Sequence, residues 1–174
     1  MGRILQVVGY QNSGKTTFVT DYIKEAVRYN LKVGTIKHHG HGGALVQTDH
    51  GKDTEKHREA GARVTLVDGN ESFILSSNKI RLTLSQMISM YGEFGLDVIL
   101  IEGYKLEKYP KVVLLRSNED LPMLEKAINI ICVVAGFSLP VEIKDKYPTF
   151  LTKEQCIKWL LMNEVGEYVD NANV

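Results

Sequence analysis

Short apolar runs alternate along this chain with stretches in which apolar residues recur every three or four positions. Arg3 to Val8 is too short and too β-branched for a helix and predicts a first strand. A helix is predicted from about Lys15 to Tyr29, with Phe18, Tyr22, Ile23, Ala26 and Val27 on one face. Leu31 to Lys37 reads as a second strand. From His38 to Gly51 the pattern dissolves into a polar stretch rich in glycine and histidine, a loop of a length that compact domains rarely carry without a use for it. Lys52 to Ala60 predicts a short solvated helix stopped by Gly61. Arg63 to Asp68 and Glu71 to Ser76 read as a hairpin turning at Gly69-Asn70, with a third strand near Lys79 to Leu84. A helix from about Leu84 to Phe94 follows, then strands at Val98 to Ile101, Val112 to Leu115 and Asn129 to Ala135. The last helix, Lys153 to Met162, begins after an N-cap at Thr152. Strands alternating with helices imply an α/β fold of three layers, with helices on both faces of a mostly parallel sheet and an added antiparallel β-hairpin.

With 174 residues the chain suits one nucleotide-sized domain over 1–163 and an acidic tail, 164–174, that has little to pack against and is expected to fray. Lysine plus arginine and aspartate plus glutamate each number 21, so no net field favours nucleic acid as a partner. Cys132 and Cys156 are far apart in sequence and supply neither a disulfide scaffold nor a zinc ribbon; both read as buried thiols, which fits a reducing compartment. No apolar run approaches the ~20 residues of a membrane span, and the N-terminus leads straight into a strand. A cytoplasmic location, with no membrane partner, is the expectation.

The sharpest motif is Gly9-Tyr-Gln-Asn12-Ser13-Gly14-Lys15-Thr16-Thr17, a phosphate-binding P-loop placed between the first strand and the first helix. Its glycines let successive backbone N–H groups face one set of phosphate oxygens, and the helix adds the positive end of its dipole. Lys15 is placed to reach the β- and γ-phosphates as the catalytic cation, and the Thr16 hydroxyl to ligate Mg²⁺. The fold is thus expected to be that of a P-loop NTPase. A carboxylate at the end of a buried strand should complete the metal site. Asp97 and Glu102 flank one strand about 17 Å apart, and only Glu102 is at the carboxyl end, where ligands collect. Glu102 is assigned to a water or the outer shell of the metal, with direct ligation as the alternative.

All five histidines, His38, His39, His41, His50 and His57, fall in one window. They read either as a transition-metal site or as hydrogen-bond donors on an exposed loop near the phosphates. Asp49, Lys52, Asp53 and Arg58 lie in the same window. Their alternating charges suit a switch segment facing Mg²⁺ and γ-phosphate, or an ordinary solvated helix face.

Taken together, these residues resemble the molybdopterin-guanine dinucleotide biosynthesis protein B family (MobB), P-loop GTP-binding adaptors of molybdenum cofactor synthesis. The P-loop carries the resemblance, followed by Val33-Gly-Thr-Ile-Lys37-His38-His39. Then come Asp49-His-Gly-Lys52-Asp53-Thr54, His57-Arg58-Glu-Ala-Gly61-Ala62, Glu102-Gly-Tyr-Lys105, Pro110-Lys111-Val and Arg116. The resemblance implies GTP and Mg²⁺ as cofactors, slow GTP hydrolysis and a homodimer. It also implies a partner nucleotidyltransferase of the MobA type, which attaches GMP to molybdopterin. Lys105, Lys111 and Arg116 are then positions where molybdopterin, or its guanine dinucleotide, would dock by an anionic group; as plain residues they read as solvated lysines and a strand-edge arginine.

One departure from common GTPases is the lack of an Asn-Lys-x-Asp guanine motif; Asn78-Lys79-Ile80-Arg81 fails at its last position. By topology the base-reading loop is Ala135-Gly-Phe-Ser138. Nothing is obviously placed for fast hydrolysis, so the chain reads as a binding protein more than a turnover enzyme. Two other functions fit the motifs: a metallochaperone GTPase using the histidine window, and a small-molecule kinase, for which Arg58 and Arg63 are the only arginines available to a lid.

Overall fold

The opening apolar run forms β1 (Arg3–Val8), buried along its whole length, as a strand must be when both faces of a parallel sheet are covered. In this computed structural model, residues 2–40, 53–77 and 79–168 are described. The chain divides into two units, Met1–His38 with Ser85–Val174, and His39–Leu84.

In the first unit β1 sits between β5 (Val98–Glu102) and β6 (Lys111–Leu115), parallel to both. Beyond β5 lies β2 (Val33–Lys37), and beyond β6 lie β7 (Ile130–Ala135) and β8 (Thr149–Phe150), all parallel, in the order β2-β5-β1-β6-β7-β8. Side-chain alternation splits the core into two layers. Leu5, Val7, Leu100, Val112 and Leu114 face helices α1 (Lys15–Arg28) and α6 (Lys153–Met162) on one side. On the other, Val8, Val113, Leu115 and Val133 pack with Met123 of α4 (Pro122–Lys126) and with Leu139, which precedes α5 (Val141–Lys146). Among the described residues no helix is long and apolar enough to cross a membrane.

Several expectations change in detail. On α1 the buried line is Phe18, Val19, Tyr22 and Ala26, whereas Val27 is 57% exposed; nine positions at ~100° each carry it about 180° from Phe18. Within the stretch 164–174, Glu167–Tyr168 form β9, antiparallel against Arg3 and Ile4, and residues 169–174 lie outside the described residues. The two cysteines, distant in sequence, meet between β7 and α6 with their Sγ atoms 3.6 Å apart, buried and both free thiols. The hydrogen bond to Cys132, then burial, holds the Cys156 thiol far above its ordinary value, so it is no nucleophile.

The second unit contains α2 (Asp53–Glu59) and a separate two-stranded antiparallel sheet, β3 (Val64–Asp68) with β4 (Phe73–Ser77). The turn spans four residues rather than two: Asp68 pairs with Phe73, Asn70 adopts φ 67°, and the Gly69 N–H donates to the Ser72 carbonyl at 2.7 Å. No third strand forms over 79–83, because Lys79 turns the chain with φ 57°. Leu84 instead begins α3 (Leu84–Tyr91), which ends in a 3₁₀ turn, Gly92–Phe94.

Candidate functional site

The loop from Gly9 to Gly14 joins β1 to α1 through two residues in left-handed conformation, Asn12 at φ 60° and Gly14 at φ 83°. Only a glycine fits at position 9, where a Cβ would come within 2.8 Å of the Leu114 carbonyl oxygen. Helix α1 therefore starts without a side-chain cap and with no acidic residue in its first turn. Its leading N–H groups and the positive end of its dipole are thus left without a side-chain partner of their own, which is the physical requirement for holding an anion.

Lys15 folds over this loop, donating to the carbonyls of Gly9 (3.2 Å) and Tyr10 (2.7 Å) and to Ser13 Oγ (3.5 Å). Burial lowers its pKa below the ordinary lysine value; Lys37 and Arg116 push the same way and Glu102 opposes them. Such an ammonium, crowded and hydrogen-bonded to neutral oxygens, gains strongly from a phosphate placed beside it.

Thr16 and Glu102 come together as the motif spacing implies. The Thr16 hydroxyl donates toward Glu102 Oε1 at 3.0 Å and Oε2 at 3.2 Å. Parallel register does this: Glu102, the last residue of β5, stands beside Val7 of β1 and Lys37 of β2. Lys37 Nζ in turn lies 3.1 Å from Glu102 Oε1 and 3.1 Å from Thr16 Oγ1. A hydroxyl and a carboxylate are hard oxygen donors, and with phosphate oxygens and water they would suit Mg²⁺. Asp97, at the other end of β5, accepts the Lys32 N–H at 2.8 Å and tethers the strand entry.

Past Glu102 the chain turns sharply, with Gly103 at φ 95° and Tyr104 at φ 53°. The Gln6 carboxamide holds this turn by donating to the Gly103 and Tyr104 carbonyls, each at 3.0 Å. His38 donates its backbone N–H to the Glu102 carbonyl at 2.9 Å, and its ring packs against Tyr104 at a 53° tilt, 4.6 Å between centroids. Lys105 is exposed, its ammonium 6.0 Å from the centre of the Tyr10 ring.

Lys111 differs from the expected anion anchor: it is fully buried, and its ammonium donates to the carbonyls of Glu107 and Tyr109. Arg116 forms a fork with Asp120, through Nε to Oδ2 and Nη2 to Oδ1, both 2.9 Å, while Nη1 reaches the Gln11 carbonyl of the P-loop at 3.0 Å. This hydrogen bonding raises the Arg116 pKa and lowers that of Asp120. Asp120 and Gln6 escaped the sequence reading. The i,i+4 spacing of Arg116 and Asp120 was the available signal for one, and a polar residue inside a buried strand for the other.

In the second unit Asp53 accepts from Lys56 at 3.1 Å, Arg58 is buried and donates to Thr65 Oγ1 at 3.0 Å, and Arg63 donates to the Lys79 carbonyl at 3.2 Å. Asp49, Lys52, His41, His50 and Asn78 lie outside the described residues. Among the described residues no three His, Cys, Asp or Glu side chains gather as a metal cluster.

At the carboxyl ends of the strands, where the P-loop also lies, a cleft of about 510 Å³ opens beyond β7 and β8. Phe137, Leu139, Phe150 and Leu151 line it together with Ser138 and Lys144. The strand order puts the end of β7 two strand spacings from β1, about 10 Å.

The chain is similar to known proteins in sequence and in overall fold. A probable molybdopterin-guanine dinucleotide biosynthesis adapter protein of Bacillus subtilis is 44% identical over 131 residues, 75% of each chain. The crystal structure of Bacillus subtilis MobB superposes with a TM-score of 0.78 at 36% identity, covering 95% of this chain and 99% of that one. A MobB homolog from Bacillus stearothermophilus gives 0.70 at 35% identity, covering 92% and 96%. Residues 4–136, from the start of β1 to just past the end of β7, match the family model of molybdopterin guanine dinucleotide synthesis protein B, and the chain belongs to that MobB family.

Proposed function

We propose that this chain is a GTP-binding adaptor in molybdenum cofactor synthesis, acting beside a MobA-type nucleotidyltransferase in the conversion of molybdopterin to molybdopterin guanine dinucleotide. The observation that carries the reading is the uncapped start of α1, with Lys15 folded over the loop before it and Thr16 paired with Glu102 beside it. Phosphates in that cradle would receive main-chain N–H groups and the Lys15 ammonium, released from the Gly9 and Tyr10 carbonyls. Thr16 and Glu102 would hold Mg²⁺ directly or through water; the ion supplies positive charge on the terminal phosphates. The cleft beyond β7 suits a nucleobase: its distance from the P-loop fits a nucleoside, and Phe137 and Phe150 offer apolar and aromatic surface. The adaptor role rests on the names of the relatives, which are adapter proteins of this pathway.

A homodimer completes the proposal. The β3–β4 sheet exposes Val64, Leu66, Phe73 and Leu75 on the face opposite Thr65, and Val67 and Ile74 on the Thr65 face; a second copy of the chain is the occupant that would cover the larger set.

Calorimetry with GTP, GDP and ATP, with and without Mg²⁺, tests nucleotide binding. GTP and GDP are expected to bind, and Lys15→Ala to abolish binding while far-ultraviolet dichroism stays unchanged. Exclusive ATP binding would falsify the guanine reading, and loss of folding in Lys15→Ala would make that lysine structural.

A further inference from the structure

Lys37, the last residue of β2, stands in register beside Glu102. Its ammonium touches both oxygens offered to Mg²⁺, at 3.1 Å from Thr16 Oγ1 and 3.1 Å from Glu102 Oε1. The Thr16 hydroxyl has one hydrogen, directed at Glu102, and the lone pairs left for a metal are the ones Lys37 now donates to. A Mg²⁺ ion bound to Thr16 at ~2.1 Å would lie no more than about 5 Å from that ammonium, with the single Glu102 carboxylate between them. Two cations cannot share these donors without strong repulsion, since the pocket wall at Glu102 is buried.

We infer that Lys37 is a resident cation of the metal position, which gives way to Mg²⁺ and moves onto the terminal phosphate of a nucleoside triphosphate. The exchange is easy for this side chain: it is 56% exposed, ends a strand and can swing without disturbing the core. The phosphate is the destination because Mg²⁺ neutralises Glu102, and the added negative charge in the loaded site is that of the γ-phosphoryl group. Lys37 would thereby tie metal entry to triphosphate binding, favouring triphosphate over diphosphate in the presence of Mg²⁺. The inference rests on the nucleotide-binding reading above.

The test compares wild type, Lys37→Met and Lys37→Arg by calorimetry. With GDP present, removing the resident cation should lower the Mg²⁺ concentration for half-maximal stabilisation of the complex, by about ten-fold in Lys37→Met. At saturating Mg²⁺ the same variant should lose about ten-fold in the ratio of GTP to GDP affinity, through weaker GTP binding, and Lys37→Arg should keep most of that preference. A Lys37→Met protein that retains either the wild-type Mg²⁺ midpoint or the wild-type GTP to GDP ratio overturns the exchange. Wild-type protein that binds neither nucleotide refutes the underlying reading instead, so the two failures are distinct.

Discussion

Burial pushes the Lys111 ammonium down to about 8, because β6 seats it beside Gln6 in the sheet interior with no exposed surface. In the unfolded chain the same group keeps its proton up to its ordinary value of 10.5. Between those values the unfolded state binds more protons than the native state, so this residue makes stability rise with pH. Below about pH 8 the charged form is held in both states and its burial opposes folding in full. Denaturant titrations at pH 7.5 and 9.5 should therefore show wild type gaining on Lys111→Met at the higher pH. A difference between the two proteins that does not move with pH would mean that the ammonium is solvated. Much of the candidate phosphate site, by contrast, is local, and its loop was legible: Gly9 to Thr16 is one continuous stretch whose left-handed turns and uncapped helix start need only its own backbone. Lys111, Gln6 and Asp120 are defined by neighbours distant in sequence or by depth in the sheet, and no residue-type rule separates a lysine that greets an anion from one that caps carbonyls.

Among the elements, the connection after β6 matters most to the site. Arg116 leaves the strand end, is oriented by the nearly inaccessible Asp120 carboxylate, and fastens the P-loop at Gln11. A bidentate arginine has few ways to sit, so the brace holds the loop at Gln11. Asp120→Ala should free the guanidinium and weaken nucleotide binding by roughly three- to ten-fold, the scale of one net hydrogen bond. Calorimetry on the folded variant checks this, and an unchanged affinity would detach the brace from binding. The long elements were legible from periodicity: β1 and α6 have the predicted bounds, and α1 ends one residue early. The elements that were missed, α4, α5, β8 and β9, run five, six, two and two residues, too short for a period to register. The hairpin was legible as a hairpin, but the four-residue turn shifts the β4 start to Phe73, a consequence of Asn70 and not of the alternation.

For the whole molecule the open question of chemistry is what covers the apolar face of the β3–β4 sheet. Cross-strand register puts Leu66 opposite Leu75 and Val64 opposite Ser77 on one face, while Thr65, bonded to Arg58 of α2, lies on the other. Leu66 is 60% exposed, Val64 48% and Leu75 41%, and a two-stranded sheet with such a face gains little from standing alone in water. The zero formal charge of the chain means that like-charge repulsion does not oppose association of two copies. In a two-fold dimer each substitution appears twice in the interface. Burying one leucine contributes roughly 1.5–3 kcal/mol, so Leu66→Asp should weaken dimerisation at least about a hundred-fold. Sedimentation equilibrium over a range of concentrations measures this directly: wild type is expected as a dimer and Leu66→Asp as a monomer with its dichroism spectrum intact. Dimers that persist in Leu66→Asp would move the interface to another surface, and wild type that sediments as a monomer would remove the homodimer from the proposal.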